Sequence, residues 1–375
     1  MIEIKEMTSE SGLRKFVEFP FKLLNNNPYW APPIIREELE TFDRKKNPVF
    51  SNADAHFFMA YRDGRPVGRI AAIINWLEVN EQNKPKIRFG WYDAIDDLEV
   101  TEALIAEVEK VGRQHGLKFM EGPVGFSNMD KAGMLVEGFE ELNTMITWYS
   151  LPYYHQHFEE LGFAAEKEWV EFKIKIPEEG PSEKVERFSN LILNRYDLQV
   201  IRFNNKHEIL EHVDKIFELI NQTYSGLSTY VPIGPEQIAY YKQKYFRYLH
   251  PDFINCVANS EGEIVAFAIT MPSFTKALQR ANGRLFPLGW LHLLWARFFH
   301  QRAAFYLIGI KPEYQNKGLT SIIFKEMNEM FNRRGIKEVE TNPELEDNKA
   351  IQALWNSYEN EQHKRRRTYR RDLTC

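Results

Sequence analysis

The strongest constraint on the fold is an internal repeat. A predicted strand at residues 2–5 has a counterpart at residues 200–203. A predicted hairpin turns at Gly64, and a second one turns at Gly262, again 198 positions later. In each hairpin, apolar strands flank a glycine-containing turn. A repeated unit of this size predicts two related domains.

The spacing of the repeat changes once. A predicted helix ends at Gly116 in the first half and at Gly335 in the second, 219 positions later, and glycine commonly follows a helix C terminus. The distance between corresponding positions thus rises from 198 to 219 residues, and this increase predicts an insertion in the second half, at about residues 275–303. This insertion contains the apolar run 285–299. The sequence leaves open whether the run packs in a core, covers a hydrophobic acceptor, forms a dimer face or lies on a membrane surface.

The length of 375 residues also exceeds one compact core of ordinary size. A turn-forming run at residues 177–182 marks a boundary. We therefore predict an N-terminal domain at residues 1–178, a linker helix at residues 179–196 and a C-terminal domain at residues 197–375. Each domain has the predicted order strand, helical region, hairpin, strand, helix, strand, helix. This order predicts an α/β (α+β) fold, with a mixed, largely antiparallel sheet flanked by helices.

Composition disfavours several classes of protein. The 48 basic and 53 acidic residues give a net charge of -5, which disfavours general nucleic-acid binding. Only two cysteines occur, Cys256 and Cys375, so neither a disulfide framework nor a metal site is predicted. The sequence begins without a basic and then apolar segment, and no apolar run is long enough to cross a bilayer. We expect a cytoplasmic protein without a membrane span.

The residues that indicate chemistry follow a predicted apolar strand at residues 304–310. The run KPEYQNKGLT at residues 311–320 comes next, and an amphipathic helix begins at Ser321. A strand that turns through a glycine into a helix leaves N–H groups unpaired at the positive end of the helix dipole. Such a site attracts phosphate. Gly318 permits close approach of the backbone, and Lys317 adds a positive charge.

This run resembles the pyrophosphate loop of the GCN5-related N-acetyltransferase (GNAT) superfamily, whose pattern is Gln/Arg-x-x-Gly-x-Gly/Ala. Gln315 and Gly318 meet the pattern, whereas Thr320 replaces its last small residue. The resemblance implies that acetyl-CoA or another acyl-CoA binds here, with the loop amides on the pyrophosphate and the preceding strand along the pantetheine. The residues that it implies for acyl-CoA binding are Ile308, Ile310, Gln315, Asn316, Lys317, Gly318, Leu319, Thr320 and Asn348.

Asn348 begins a run that resembles the family's second cofactor motif, an Asn followed by a helix beside the pantetheine. In this family a tyrosine on that helix often serves the departing thiolate. The residue seven positions after Asn348 is Trp355, which cannot act as an acid, so Tyr358 is the candidate. Glu340, in a predicted strand beside the cofactor strand, is the candidate base through a water molecule. The alternatives are a buried core tyrosine and a surface glutamate.

Runs along the whole chain, such as NPYWAPP at residues 27–33 and LPYY at residues 151–154, are similar to a bacterial group of tandem acetyltransferase-like proteins. The first half lacks the phosphate loop. Asp93 and Asp97 precede the corresponding helix of this half, and Glu99 lies near the start of that helix. Carboxylates at these positions would repel a pyrophosphate. We expect this half to wall the acceptor cleft without binding CoA. Simple helix capping by these carboxylates is the alternative.

The sequence therefore predicts an N-acyltransferase that transfers an acyl group from acyl-CoA to a small-molecule or peptide amine by direct attack. One alternative is a non-catalytic CoA- or ligand-binding protein of the same fold. Another is an aminoacyl-tRNA-dependent transferase, for which the basic run 363–371 would offer contacts. That run also fits a solvated edge strand. The sequence does not fix the acceptor, the acyl length or whether a homo-oligomer forms.

Overall fold

A computed structural model describes residues 1–127, 129–225, 230–245, 248–356 and 358–373, apart from the side chains of Ala350 and Ala353. Its strands are β1 (Ile2–Glu6), β2 (Ala53–Arg62), β3 (Arg65–Asn75), β4 (Lys86–Ala94), β5 (Phe119–Gly122), β6 (Met134–Glu137), β7 (Ala164–Lys175), β8 (Gln199–Ile201), β9 (Ile254–Ala258), β10 (Ile264–Pro272), β11 (Arg302–Ile310), β12 (Glu338–Glu340), β13 (Glu344–Leu345) and β14 (Asn360–Asp372). Its helices are α1 (Glu10–Leu23), α2 (Ile35–Phe42), α3 (Trp76–Asn80), α4 (Leu98–Gln114), α5 (Tyr153–Glu160), α6 (Glu183–Arg195), α7 (Lys206–Tyr224), α8 (Pro235–Tyr245), α9 (Thr275–Ala281), α10 (Gly289–Phe298), α11 (Leu319–Arg334) and α12 (Lys349–Trp355).

The contacts divide the chain into two compact units. The first contains Met1–Val170, Phe274–Trp295 and the described residues from His363 onward. The second contains Glu171–Ser273 and Ala296–Gln362. Two segments from the second half of the sequence, most of the insertion and most of the last strand, thus belong to the first unit. Membership follows packing and strand pairing rather than position in the chain.

The sheet of the first unit has the strand order β1-β2-β3-β4-β5-β14. The pairs are antiparallel except for β4 with β5, which are parallel. Successive side chains of a strand point to opposite faces, so Phe58 packs in one cluster with Leu104 of α4. Its neighbour Phe57 contacts Phe16 of α1 and Phe42 of α2, with ring centroids 5.4 and 4.6 Å away. Helices therefore cover both faces of this sheet.

The second unit repeats this order of elements, as the internal repeat predicts. Its sheet runs β8-β9-β10-β11-β12, and residues 173–175 of β7 pair with β12. The hairpin β9–β10 corresponds to β2–β3, and the succession β11, α11, β12 corresponds to β4, α4, β5. Ile322 and Ile323 of α11 are fully buried in the core with Val339 of β12. The mixed α/β architecture expected from the sequence is confirmed.

The basic run near the C terminus is not a solvated edge strand, so that interpretation was wrong. In β14, Lys364 is 1% exposed and Arg366 is 0% exposed. Lys364 Nζ donates to the carbonyl of Leu142 at 2.7 Å, and Arg366 donates to the carbonyl of Trp148 and to Asn143 Oδ1. Buried cationic groups are tolerated only when they are hydrogen-bonded. These two side chains are therefore used within the first unit, which weakens the case for tRNA contacts.

Three smaller expectations can be compared with the structure. Helix α6 lies within the predicted linker range 179–196, but it belongs to the second unit, where Ile192 is part of the core. The predicted insertion contains α9 and α10. Cys256 is buried in β9, where burial raises the pKa of its thiol to about 12; Cys375 lies outside the described residues. Across the part of the chain that the structure describes, no helix is both long and apolar enough to cross a membrane.

Candidate active site

The candidate site is built around β11, which loses one neighbour halfway along its length. It pairs with β10 along both of its ends, with a register shift that leaves Tyr306 as an extra residue. On the other side, β12 pairs only with residues 302–304. A bulge of this kind bends a strand. The later part of β11 therefore presents a second backbone edge to other groups.

Side chains of the second unit occupy the carbonyl groups of this part of β11. Asn342 Nδ2 donates to the carbonyl of Tyr306 at 2.8 Å. The hydroxyl of Tyr224 donates to the carbonyl of Ile308 at 2.8 Å, and burial raises the pKa of Tyr224 to about 12. Gln315 Nε2 donates to the carbonyl of Ile310 at 3.1 Å. The main-chain oxygens of Ile308 and Ile310, which were predicted to pair with pantetheine, thus already accept one hydrogen bond each.

The loop after β11 leads to the start of α11 through left-handed backbone positions. Asn316 has φ 58° and Gly318 has φ 85°, conformations that favour asparagine and glycine. Three amides are used locally: Gln315 donates to Pro312, Lys317 to Tyr314 and Ser321 to Gly318, at 3.2, 3.4 and 3.0 Å.

Other amides of the same loop are uncommitted. In the hydrogen-bond network of the described residues, the backbone N–H groups of Asn316, Gly318, Leu319 and Thr320 have no protein acceptor. Gly318 precedes the helix and supplies no capping side chain. The first N–H groups of a helix have no partner inside the helix and lie at its positive end. This is the arrangement that phosphate groups bind.

Helix α6 constrains the position of Gly318. A Cβ atom there would lie 3.0 Å from Phe188 Cε1 and 3.2 Å from Ile192 Cδ1. The positive φ favours glycine here, and the close contact leaves little room for a side chain. Lys317 Nζ lies 5.2 Å from the ring centroid of Tyr196 and 5.1 Å from that of Tyr314. These rings stabilise the charged ammonium group beside the loop.

The second cofactor motif begins α12. Asn348 Oδ1 lies 3.5 Å from the amide nitrogen of Ile351, so its side chain takes a capping position before the helix. This geometry explains an Asn at this point without a ligand. Whether Asn348 also contacts an acyl-CoA stays a prediction.

The two predicted catalytic residues lie in different surroundings. The hydroxyl of Tyr358 is hydrogen-bonded to Asn328 of α11, and burial raises the pKa of Tyr358 above its usual value. Its ring lies 6.1 Å from that of Phe324, also on α11. Glu340 is half-buried at the end of β12, in register with Ala304 of β11. The contacts of Tyr358 fit a core tyrosine, and its catalytic role stays a prediction.

One ionisable residue escaped the sequence analysis. Glu344 is 8% exposed, and both of its carboxylate oxygens accept hydrogen bonds from Trp355 Nε1, at 2.9 and 3.1 Å. Burial raises the pKa of Glu344 to about 8 and outweighs the opposing effect of the indole hydrogen bond. A carboxyl group with this pKa can give or take a proton near neutral pH. Nothing in the local sequence distinguishes Glu344 from its acidic neighbours.

The corresponding helix of the first unit begins differently. Asp97 precedes α4, and its carboxylate accepts a hydrogen bond from the amide of Glu99 at 3.1 Å and pairs with Arg62 at 2.5 Å. Asp93 is buried and pairs with Arg69 at 2.7 Å. The capping alternative considered for these carboxylates therefore holds for Asp97. Carboxylates at this position leave the first unit without the arrangement found before α11.

Residues 213–357 match the model of the Acetyltransferase (GNAT) family. The chain carries a GNAT acetyltransferase domain. The GNAT match contains the loop, Glu340 and Asn348, and it ends one residue before Tyr358. The family resemblance predicted from the loop is confirmed.

Two curated relatives align with this chain over almost its whole length. It is 26% identical to Protein YghO of Escherichia coli (strain K12), covering 99% of this chain and 95% of that protein. It is 25% identical to the Bacterial ceramide synthase of Caulobacter vibrioides (strain NA1000 / CB15N), covering 99% of this chain and 98% of that protein.

Solved structures extend the GNAT fold to the whole chain. A tandem GNAT protein from the clavulanic acid biosynthesis pathway has a TM-score of 0.58 at 10% identity, covering 100% of this chain and 99% of that one. A GCN5-related N-acetyltransferase from Sphaerobacter thermophilus has a TM-score of 0.52 at 10% identity, covering 100% and 96%. At this identity the likeness concerns the fold alone. The match of residues 213–357 to a family of acetyltransferases is what supports an N-acyltransferase.

Proposed function

We propose that the protein is an acyl-CoA-dependent N-acyltransferase that binds the CoA diphosphate at residues 315–320. The observation that carries this proposal is the set of four uncommitted backbone amides where α11 begins, inside the segment that matches the GNAT family. The ammonium group of Lys317 adds charge beside them. Thr320, the departure from the family pattern, is half-buried at the second position of the helix, where its hydroxyl can donate to a phosphate oxygen.

The pantetheine arm would run along the later part of β11, beside Ile308 and Ile310. A carbonyl oxygen has two lone pairs, so the carbonyl of Ile308 can accept from a pantetheine amide while Tyr224 keeps its hydrogen bond. The carbonyl of Ile310 can likewise accept from the pantetheine while it keeps its hydrogen bond from Gln315. These side chains would hold the strand edge in place for the donor.

Acyl-CoA supplies a thioester, and an amine nitrogen attacks its carbonyl carbon. The new C–N bond forms as the C–S bond breaks, so the amine must lose one proton and the departing thiolate must gain one. Tyr358 keeps its proton at neutral pH and is the proposed donor to the thiolate. Glu340 is the proposed acceptor of the amine proton through water. Glu344 is a second candidate for that role, because its pKa of about 8 suits proton exchange near neutral pH.

For the acceptor we propose the amine of a long-chain amphiphile, such as a sphingoid base. A ceramide is the amide of a fatty acid and such a base, and the Bacterial ceramide synthase aligns with 99% of this chain. The exposed apolar residues near α10 are compatible with a protein that handles lipid-like molecules. Together these observations favour a lipid amine over the small-molecule and peptide amines considered from the sequence.

The CoA site is tested by placing a carboxylate where the diphosphate would bind. Gly318 is unsuitable, because any side chain there strains the backbone and meets Phe188. Thr320→Asp avoids this problem, since a carboxylate in the first turn stabilises a helix while repelling phosphate. We expect isothermal titration with CoA to show affinity reduced about 100-fold or more relative to wild type, with an unchanged melting temperature. Thr320→Asn, which is similar in size and uncharged, should retain most of the affinity.

Equal CoA affinity in the Asp and Asn variants would contradict the assigned loop.

The acceptor is tested separately, by incubating the wild-type protein with palmitoyl-CoA and dihydrosphingosine and detecting the N-acyl product by mass spectrometry. Serinol, which carries the same amino-diol head without a chain, is the matched control. Acylation of serinol alone would overturn the lipid acceptor. CoA binding without any product from a panel of amines would favour the non-catalytic alternative.

A further inference from the structure

A short segment of the first unit exposes a concentration of apolar side chains. Of the described residues, eleven large apolar side chains are exposed, and eight of these lie between positions 286 and 299. Six of the eight are in the first unit. We define them as the apolar surface: Phe286, Leu288, Trp290, Leu291, Leu294 and Trp295.

Four of the six side chains of the apolar surface lie along one side of a helix, α10. In α10, Trp290 and Leu294 are four residues apart, as are Leu291 and Trp295, so the four side chains form two adjacent rows. Gly289, on the other side of the helix, is buried. The ten residues of α10 span about 15 Å, roughly half the thickness of a bilayer's hydrocarbon core. A helix of this length can lie along a membrane surface but cannot cross it.

The exposure does not come from a loosely held loop. The amide of Ile35 donates to the carbonyl of Gly283 at 3.0 Å, just before the apolar surface. In α9, Thr275 Oγ1 donates to the carbonyl of Asn143 at 2.7 Å, and Gln279 Nε2 donates to the carbonyl of Trp30 at 2.9 Å. These contacts fix the base of the segment on the first unit. The apolar side chains are therefore held outward.

The segment that carries the apolar surface bears charges of a single sign. No Asp or Glu occurs in residues 264–312. Lys276, Arg280 and Arg284 are exposed, precede α10 along the chain and belong to the first unit. Within the described structure none of these three pairs with a carboxylate. An apolar helix face with tryptophans and adjacent basic residues has the composition of helices that bind anionic lipid surfaces.

We propose that the apolar surface and these three basic residues dock the protein on the surface of an anionic lipid bilayer. The leucine and phenylalanine side chains enter the boundary between headgroups and acyl chains, and the tryptophans lie at headgroup level. The basic residues contact lipid phosphates. This inference concerns where the protein resides during its work, and it holds whatever the acceptor amine.

The test is a flotation assay with the full-length protein and two kinds of vesicle, one of phosphatidylcholine and one of equal parts phosphatidylcholine and phosphatidylglycerol. We expect at least tenfold stronger partition into the anionic vesicles, with a blue shift of tryptophan emission. Leu294→Glu should lower that partition at least tenfold, because it removes an inserted apolar group and adds a repelled charge. Combined Lys276→Ala, Arg280→Ala and Arg284→Ala should lower it about fivefold for each residue.

Leu191→Glu is the matched control. Leu191 is 51% exposed on α6 of the second unit, so its substitution should leave partition unchanged. The proposal is overturned if the wild-type protein binds neither kind of vesicle, binds both equally, or binds no more tightly than Leu294→Glu. Concentration-dependent dimerisation that Leu294→Glu abolishes, without vesicle binding, would instead assign the apolar surface to a second copy of the chain.

Discussion

Helices α4 and α11 occupy equivalent places in the repeat, yet their first turns differ in chemistry. The amide of Glu99 near the start of α4 donates to the carboxylate of Asp97, which also pairs with Arg62. Before α11 stands Gly318, and several amides there have no acceptor among the contacts of the described residues. One helix start satisfies its own dipole with a carboxylate, whereas the other leaves the positive end available to an anion.

The strands before these helices differ in the same way. β4 carries Lys86, Arg88 and Asp93, all buried and paired with opposite charges. The buried positions of β11, such as Ala303 and Phe305, are apolar. Duplication therefore preserved the order of elements without preserving the chemistry. The first unit uses its charged groups to hold itself together, and the second leaves backbone groups available for a ligand.

The largest predicted effect is on the ion pairs of the first unit. Glu78 lies 2.6 Å from Arg88 Nε and 3.0 Å from Lys86 Nζ, and its side chain is 1% exposed. Glu78→Gln would leave Arg88 without its paired charge, and should lower the free energy of unfolding of this unit by about 3–5 kcal/mol. Hydrogen exchange of the β4 amides against urea measures this change.

The control for Glu78→Gln is Glu359→Gln in the second unit. The Glu359 and Lys175 side chains that pair there are 75% and 67% exposed, and exposed pairs contribute little to stability.

The stability of the first unit at low pH gives a second test of the ion pairs of Glu78. Burial tends to raise the pKa of Glu78, but Arg88 and Lys86 lower it to about 2. Stability from this group is therefore present above pH 4.5 and lost as the pH falls toward 2. An acid-insensitive β4 would contradict the assigned network.

A smaller effect with the opposite pH dependence is predicted for the buried carboxyl of the second unit. Among the described residues, the hydrogen-bond partner of Glu344 is the indole of Trp355, and burial raises the pKa of Glu344 to about 8. A raised pKa means that the folded unit binds the proton more tightly than the unfolded chain does. Stability is thus fully present below pH 4.5 and declines as the pH rises through 8. We expect a loss of about 2 kcal/mol between pH 5 and pH 7.

Glu344→Gln keeps an oxygen that can accept from Trp355 but cannot ionise. Hydrogen exchange of the β11 amides, measured at several pH values, should therefore lose its slope in this variant. The exposed substitution Glu361→Gln should leave the slope in place. If wild type and Glu344→Gln have the same slope, Glu344 does not hold a proton at neutral pH, and its candidacy as a proton carrier falls as well.

Local features of the sequence predicted the hairpins, the strand before the loop and the helix after it. These depend on turn residues and on apolar periodicity within short windows. The position of Gly318 is also local, because the left-handed turn must come directly before the helix. What the sequence could predict is therefore the presence of a phosphate-type loop and its place in the chain.

Features that depend on long-range pairing were not predictable. The contact between Tyr224 and the carbonyl of Ile308 joins residues 84 positions apart. The burial of Glu344 depends on α12 folding back over it, and the burial of Lys364 and Arg366 depends on β14 pairing within the first unit. Polar side chains in polar runs resemble surface residues until their partners are known. The sequence therefore indicated an edge strand for Lys364 and Arg366, and it indicated no role for Glu344.

The smallest predicted effect tests whether the two helix starts can be made alike from the other direction. Asp97→Ala removes the cap of α4 and should lower the local stability of that helix by about 1 kcal/mol, seen as faster hydrogen exchange of its first-turn amides. Asp97→Asn keeps an oxygen that can cap the helix, so it should lower the local stability of α4 by less than Asp97→Ala does. Comparing the two variants separates the contribution of the cap from that of the ion pair with Arg62. Neither variant should gain CoA affinity, because Glu99 remains in the first turn and the backbone still lacks the glycine turn found before α11. The double variant Asp97→Ala, Thr320→Asp tests this, because its loop before α11 is disabled. If that variant still bound CoA, a helix start without a carboxylate cap would be sufficient for CoA binding, which would contradict the prediction.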